Sequence, residues 1–300
     1  MINKFNQLCR MSQRDLKKYV ATELKKTHAN VIKEDGFVFA QGNFPVLLVA
    51  HLDTVHDVLP TSIAFNPQTQ AISSPNGIGG DDRCGVYMIL EIIKKYNCSV
   101  LFCEDEEIGG KGAQKFTKNK LSKNLFFNYI IEFDRAGSND AVFYDCDNPD
   151  FEEFITKDFY KTAFGSFSDI SVVAPHLGCA AVNLSCGYYK AHTKDEYVIY
   201  SEMLESMDAA CEILERTTEE DKFEYIDGDY GYGYNSYNYG GGFYDGDIAY
   251  FLIQYTNDRG SEGWFEAEAT STEEAVGMFC IKHPNLSFNN IIDIQYDSFM

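Results

Sequence analysis

Three apolar runs in this chain end in histidine or acid, and segments of helical period lie between them. The runs are PVLLVAHLD, NCSVLFCEDEE and FFNYIIEFD; the helical segments are DRCGVYMILEIIKKY and GGKGAQKFTKN. Runs so short and so uniformly apolar read as strands buried on both faces, which only a sheet with helices above and below can provide. The fold class expected is therefore α/β, a mostly parallel or mixed sheet with helices on both faces.

The same grammar continues in both directions. Ser12 is placed to cap an amphipathic helix, RDLKKYVATELKKT, and two short extended pieces follow, NVIKED and GFVFAQ. Downstream, SDISVVAPHL reads as a helix, CAAVNLS as a buried strand and SEMLESMDAACEILERTTEE as a long amphipathic helix, closing a domain over residues 1–219. From Phe223 to Tyr244 the chain is dominated by Tyr, Gly, Asp and Asn with no period that would bury a face, so residues 220–246 are expected to form a linker. Residues 247–300 read strand, turn at Asp258 to Gly263, strand, helix capped by Ser271 or Thr272, strand. That is a small α+β module of ββαβ type, whose partner the pattern does not specify.

A net charge of -21 over 300 residues disfavours nucleic acid or an anionic membrane as partner, because phosphate contacts need an excess of Lys and Arg. It leaves carboxylates free to serve as cation ligands. The nine cysteines lack CxxC spacing, and several lie in strand-like runs, so reduced core thiols are expected. The start, MINKFNQLCRMSQRDLKKYV, has no apolar run of signal-peptide length. A soluble cytoplasmic protein is the expectation, and a homo-oligomer is compatible with it.

The chemistry is expected where the strands end, since loops and helix N-termini converge beyond the carboxyl edge of such a sheet. VLLVA runs into His51 and Asp53, VLFC into Glu104 to Glu107, and YIIEF into Asp134. Carboxylates gathered from three strand ends repel one another unless cations or protons neutralise them. His51 and Asp53 are two residues apart, on the same side of the chain, so Asp53 can accept a proton from the far nitrogen of a metal-bound imidazole. Gly77 to Gly80 permit a sharp turn into the next helix, presenting Asp81 at its start, where it can bridge two cations. Of the adjacent Glu106 and Glu107, Glu107 is assigned to metal and Glu106 to the general base.

These motifs resemble those of the co-catalytic di-zinc exopeptidases: HLDTV at His51, GGDDRCG at Asp81, EDEEIGGKGA at Glu106 and Glu107, EFDRAG at Asp134 and YYKAHTKDE at His192. The resemblance covers about residues 1–217 and keeps the family's order. It implies two Zn2+ per chain, with Co2+ or Mn2+ as substitutes: His51 and Asp134 on one, Glu107 and His192 on the other, and Asp81 bridging. It further implies that Asp53 orients His51, that Asp82 follows a cis peptide in a supporting role, and that Glu106 shuttles the proton of an activated water. Tyr188 or Tyr189 is a candidate to assist the developing oxyanion, beside the plainer reading of both as packing residues.

Neither His51 to Asp81 nor Asp134 to His192 is long enough for the extra domain that the tetrahedral and the carboxypeptidase-like branches respectively insert. What remains is most like the lidless aminopeptidases, although HLDTV looks closer to tripeptidase T and DDRCG to the tetrahedral group. Arg135 stands where the lidded branch usually has glycine. The substrate expected is a peptide with a free N-terminus, its ammonium held by acidic or carbonyl groups. An N-acyl amino acid or other amide is the alternative, and a non-catalytic binding protein on the same scaffold is a third reading. His56 reads as a loop histidine without a role, His176 as a packed or capping residue and Cys84 as a small core residue; His28 and His283 carry no signal.

Overall fold

The computed structural model describes residues 2–165, 167–228, 249–257, 262–269 and 291–298, together with Ala275, Phe279, Lys282, His283 and Leu286. The chain divides into two compact units. In the first, eight strands form one sheet in the spatial order Val31–Glu34, Phe37–Ala40, Cys98–Cys103, Phe44–His51, Tyr129–Arg135, Ala181–Ser185, Asp140–Val142, Lys161–Ala163. The four strands from Cys98–Cys103 to Ala181–Ser185 run parallel to one another; antiparallel pairings add Phe37–Ala40, Val31–Glu34 and Asp140–Val142, and Lys161–Ala163 joins parallel to the last of these. The expected mixed α/β sheet is what forms, because those four runs are predominantly apolar and have helices to bury both faces.

Alternation along each strand sorts the side chains into two cores. Val46, Leu48 and Ala50 join Tyr129, Ile131 and Phe133 beneath the helices Ile2–Cys9, Gly80–Ile92, Pro149–Thr156 and Tyr200–Arg216. Leu47, Val49, Leu101, Cys103 and Ile130 face the opposite way, covered by Lys111–Lys118 and Ile170–Leu177. His51, Glu132 and Asp134 continue the alternation on this second side, so the polar ends of the strands emerge together. Each fully buried Leu, Val or Phe contributes about 1.5–3 kcal/mol through removal from water.

Several details depart from the sequence expectation. Helix Gly80–Ile92 includes Asp81 and Asp82 in name only: both have non-helical backbone, with Asp81 at φ -76, ψ 105. Regular helix begins after them, so Asp81 projects from a turn. Glycine is required within this helix at Gly85, where a Cβ would lie 2.0 Å from the Phe133 carbonyl oxygen and 2.6 Å from Asp82 Oδ1. The helix thus lies against the strand that bears Asp134. A further sheet orders Tyr188–Tyr189, Tyr197–Ile199, Ala71–Ser73 and Ala64–Asn66, in strands too short for periodicity to reveal.

The segment expected to begin a linker at residue 220 is held to the first unit as far as Gly228. Phe223 stacks among Tyr129, Phe151 and Phe154, its carbonyl accepts from Ala180 N, and Gly228 N donates to Asp145 O. The rest of the Tyr/Gly-rich stretch lies outside the described residues, as do Asp258 to Ser261 and the caps Ser271 and Thr272. In the second unit the strands Ala249–Thr256, Glu262–Ala269 and Ile291–Ser298 form an antiparallel sheet with the first of them in the middle. Ala275, Phe279 and Lys282 are helical, and Phe279 packs with Phe251, Ile253 and Ala267. Among the described residues no helix is long and apolar enough to cross a membrane.

Candidate metal centre

At the carboxyl edge of the sheet, His51 ends its strand fully buried. Its Nε2 lies 2.9 Å from Asp81 Oδ1 and 3.4 Å from Asp134 Oδ1. The other oxygen of Asp81 turns the opposite way, with Oδ2 3.3 Å from His192 Nε2, which is also 2.9 Å from Glu107 Oε2. The five side chains thus form two groups, His51–Asp81–Asp134 and Asp81–Glu107–His192, each with ligand atoms within 4.8 Å of one another. Asp81 belongs to both. The first group is buried, whereas the His192 side chain is 46% exposed on a loop, at φ 62. That conformation costs a non-glycine residue about 1–2 kcal/mol.

Each of these side chains is held by others. Asp53 Oδ1 lies 3.2 Å from His51 Nδ1, which turns Nε2 toward the centre. The same carboxylate accepts the backbone N–H groups of Glu106 at 3.0 Å and Glu107 at 3.1 Å, and so fixes both glutamates. Asp82, joined to Asp81 by a cis peptide, accepts from His51 N at 3.2 Å and Gly85 N at 2.7 Å. Buried Arg83 donates to the carbonyls of Leu52 and Asp53, each at 2.9 Å, and to Met11 O, pinning the backbone that follows His51. Tyr188 donates to Asp134 Oδ1 at 3.3 Å, while Tyr189 bonds Glu202 and stacks on Tyr197. In the EDEE run, Glu104 pairs with Lys17 and accepts from Gly36 N, and Asp105 accepts from Gln13, leaving Glu106 and Glu107 for the centre.

The electrostatics record how crowded these charges are. Burial, reinforced by the Asp81 charge, pushes Asp134 up to about 7, and burial likewise raises Glu106 and Glu107. Hydrogen bonds to Asp81 and Glu107 lift His192 to about 11. Burial opposes charge on His51, but the carboxylates of Asp134, Asp53 and Asp81 outweigh it and raise the imidazole well above its usual range. Glu107 Oε1 is buried without a hydrogen-bond partner. Imidazole nitrogens and carboxylate oxygens in groups of three suit Zn2+ and leave a coordination position open, so the donor set fits a pair of such ions.

Sequence reasoning passed over four residues here. Glu196, buried within YYKAHTKDE, accepts from Gly79 N at 2.7 Å and Asp81 N at 3.0 Å, and its Oε2 lies 2.6 Å from His56 Nε2. His56, expected to have no role, therefore has a partner. Arg83 was visible only as part of the DDRCG motif. Glu132 and Asp169 are fully buried, and among the described residues no N–H or O–H donor meets their carboxylate oxygens, although the Cys103 thiol lies beside Asp169. An acid inside the apolar run YIIEFD was the available signal for Glu132. His28 bonds the Cys98 carbonyl and His176 meets Ser122 Oγ, both structural contacts away from the centre.

The fold is shared with solved structures of aminopeptidases and a tripeptidase. Among solved structures, aminopeptidase PepT from Bacillus cereus matches with TM-score 0.58 at 14% identity, covering 71% of this chain and 97% of that one. A tripeptidase from Staphylococcus aureus matches with TM-score 0.57 at 12% identity, covering 71% and 96%. An aminopeptidase from the archaeon Desulfurococcus kamchatkensis matches with TM-score 0.55 at 15% identity, covering 72% and 95%. No family model and no curated protein sequence matches. The structures it matches are aminopeptidases and a tripeptidase, the class that the five motifs suggest, at identities that establish the fold alone.

Proposed function

We propose that this chain is a metal-dependent hydrolase that holds two Zn2+ and cleaves the peptide bond at the free N-terminus of a peptide. The observation that supports this reading most is Asp81, whose two oxygens separate toward His51 and His192, each imidazole having a further acid beside it. His51 and Asp134 would hold one ion, Glu107 and His192 the other, and Asp81 both. When bound, the ions would supply Lewis acidity and lower the pKa of a water. Glu106 takes the proton of that water as it attacks the carbonyl carbon, then returns it to the leaving amine. Burial and the neighbouring carboxylates raise Glu106 in the metal-free chain, and two bound cations would draw it back toward the ionised form that a base requires. Asp53 acts in both halves of the site, through the His51 ring and through the backbone of Glu106.

Metal analysis should find two zinc ions per chain. Glu106→Gln should keep them and lose about 100- to 10,000-fold in turnover of amino-acyl amides. A variant as active as the parent would refute the base assignment. Blocking the substrate's N-terminus should abolish cleavage, whereas faster cleavage of N-acylated substrates would favour the amide-hydrolase alternative. Cytoplasmic action accords with the eight described cysteines, all free thiols. We further propose the division into a catalytic domain over residues 1–219, a linker over 220–246 and a terminal module over 247–300, with the linker's first residues docked on the catalytic domain.

A further inference from the structure

We infer that Glu196, assisted by His56, is a positioning residue that fixes the bridging carboxylate of Asp81 and, with it, the placement of the second cation. The inference rests on the hydrolase reading above. Gly79 has left-handed backbone, and Asp81 and Asp82 are not helical, so the turn leaves N–H donors that the following helix does not satisfy. The Glu196 carboxylate takes two of them: Oε2 accepts from Gly79 and Oε1 from Asp81. His56 Nε2 completes the set at Oε2. A buried carboxylate whose oxygens both meet donors holds its neighbours in one geometry, and a bridging ligand needs that, because a shift of about 0.5 Å spoils a metal site.

Glu196 also lies four residues beyond His192. Its backbone N–H donates to Thr193 O, and Lys194 O in the same turn accepts from Gly77 N at 2.9 Å. One side chain therefore ties together three segments: the loop after His51, through His56; the turn bearing Asp81; and the loop bearing His192. The two cation positions depend on this tie unequally. His51 is fixed by its strand, by Asp53 and by Asp82, and Asp134 by its strand and Tyr188. His192 has no such frame; its loop is exposed and is held by the turn that Glu196 anchors. Loss of Glu196 should therefore weaken the Asp81–Glu107–His192 position selectively. A buried carboxylate serving stability alone would affect both positions equally, or neither.

The test uses the full chain and two variants, Glu196→Gln and His56→Ala. In the first, an amide N–H replaces one acceptor and meets a backbone donor; in the second, one donor is removed from a half-buried loop. Amide hydrogen exchange on metal-free protein reads the clamp itself. Gly79 and Asp81 should be protected in the parent and exchange faster in Glu196→Gln. Cobalt titration followed by visible absorption reads the consequence. The second equivalent should bind about 10–100-fold more weakly, with the first changed by no more than about twofold. His56→Ala should move the second equivalent in the same direction by a smaller factor, and it carries the prediction alone if Glu196→Gln does not fold. Parallel weakening of both equivalents, or an unchanged second equivalent in a folded variant, would overturn the inference. A parent chain that binds no cobalt would overturn the hydrolase reading instead, and amide exchange at Gly79 and Asp81 would still decide whether Glu196 clamps the turn.

Discussion

Asp53 shows how much one side chain can carry. It contacts the His51 ring and accepts the N–H groups of both Glu106 and Glu107, so its loss should affect metal binding and proton transfer together. Asp53→Ala is expected to weaken zinc binding about 10–100-fold and to lower kcat even at saturating zinc. Full recovery of kcat by added zinc would show that Asp53 acts on the ring alone. Its first role was legible, because residues two apart at a strand end share a side; its second was not, because it joins positions more than fifty apart. Glu196 was illegible for the same reason, its partners Gly79 and Asp81 lying over a hundred residues away. Asp169 gives a prediction in pH. Burial pushes its carboxyl from 3.8 up to about 7, so the folded chain binds this proton more tightly than the unfolded chain does. Its contribution is therefore most favourable below 3.8 and diminishes as pH rises through about 7. Asp169→Asn should flatten that part of the decline in metal-free protein. A thermal midpoint with the same pH slope in parent and variant would mean that Asp169 is ionised throughout.

At the scale of elements, legibility followed the length and uniformity of the apolar pattern. The strands Phe44–His51, Cys98–Cys103, Tyr129–Arg135 and Ala181–Ser185 were all visible as runs, and burial on both faces is why. The strands of two or three residues in the smaller sheet carry no period at all, yet one of them, Tyr188–Tyr189, leads directly into the loop that carries His192. The start of helix Gly80–Ile92 was misplaced because a run of glycine and aspartate gives no sign of where regular backbone begins. Packing between elements explains one glycine in that helix. A methyl group at Gly85 would overlap the Phe133 carbonyl on one side and crowd the Asp82 carboxylate on the other. Gly85→Ala should therefore cost about 1–3 kcal/mol, although alanine is the better helix former. Because Phe133 precedes Asp134, the variant should also bind zinc less tightly. A melting temperature at or above that of the parent would mean that the helix can back away from the sheet freely.

For the whole molecule, the question is how much chain the first unit needs. The long helix ends at Arg216, and periodicity alone places the domain boundary just beyond it. Yet the chain continues along the unit: Asn128 Nδ2 donates to Thr218 O, Phe223 N donates to Asn128 O, and Asp147 N donates to Ile226 O. Phe223 fills a place among Tyr129, Phe151 and Phe154, which themselves pack in the main core. Truncation after Glu219 would remove that ring and leave backbone groups at buried Asn128 and Ala180, and at exposed Asp147, without their partners. Deleting a large aromatic from a packed site costs about 3–5 kcal/mol, a large share of the 5–15 kcal/mol by which a domain is stable. Truncation after Gly228 keeps every one of these contacts. The shorter form should therefore melt well below the longer one and lose activity on heating sooner, while the longer form should match the full chain in kcat/KM. If the form ending at Gly228 lost catalytic efficiency with its melting temperature intact, the Tyr/Gly segment or the terminal module would take part in substrate binding. If instead both truncations matched the full chain in melting temperature, Phe223 and its strap would be ornament, and the boundary read from the helix period alone would stand.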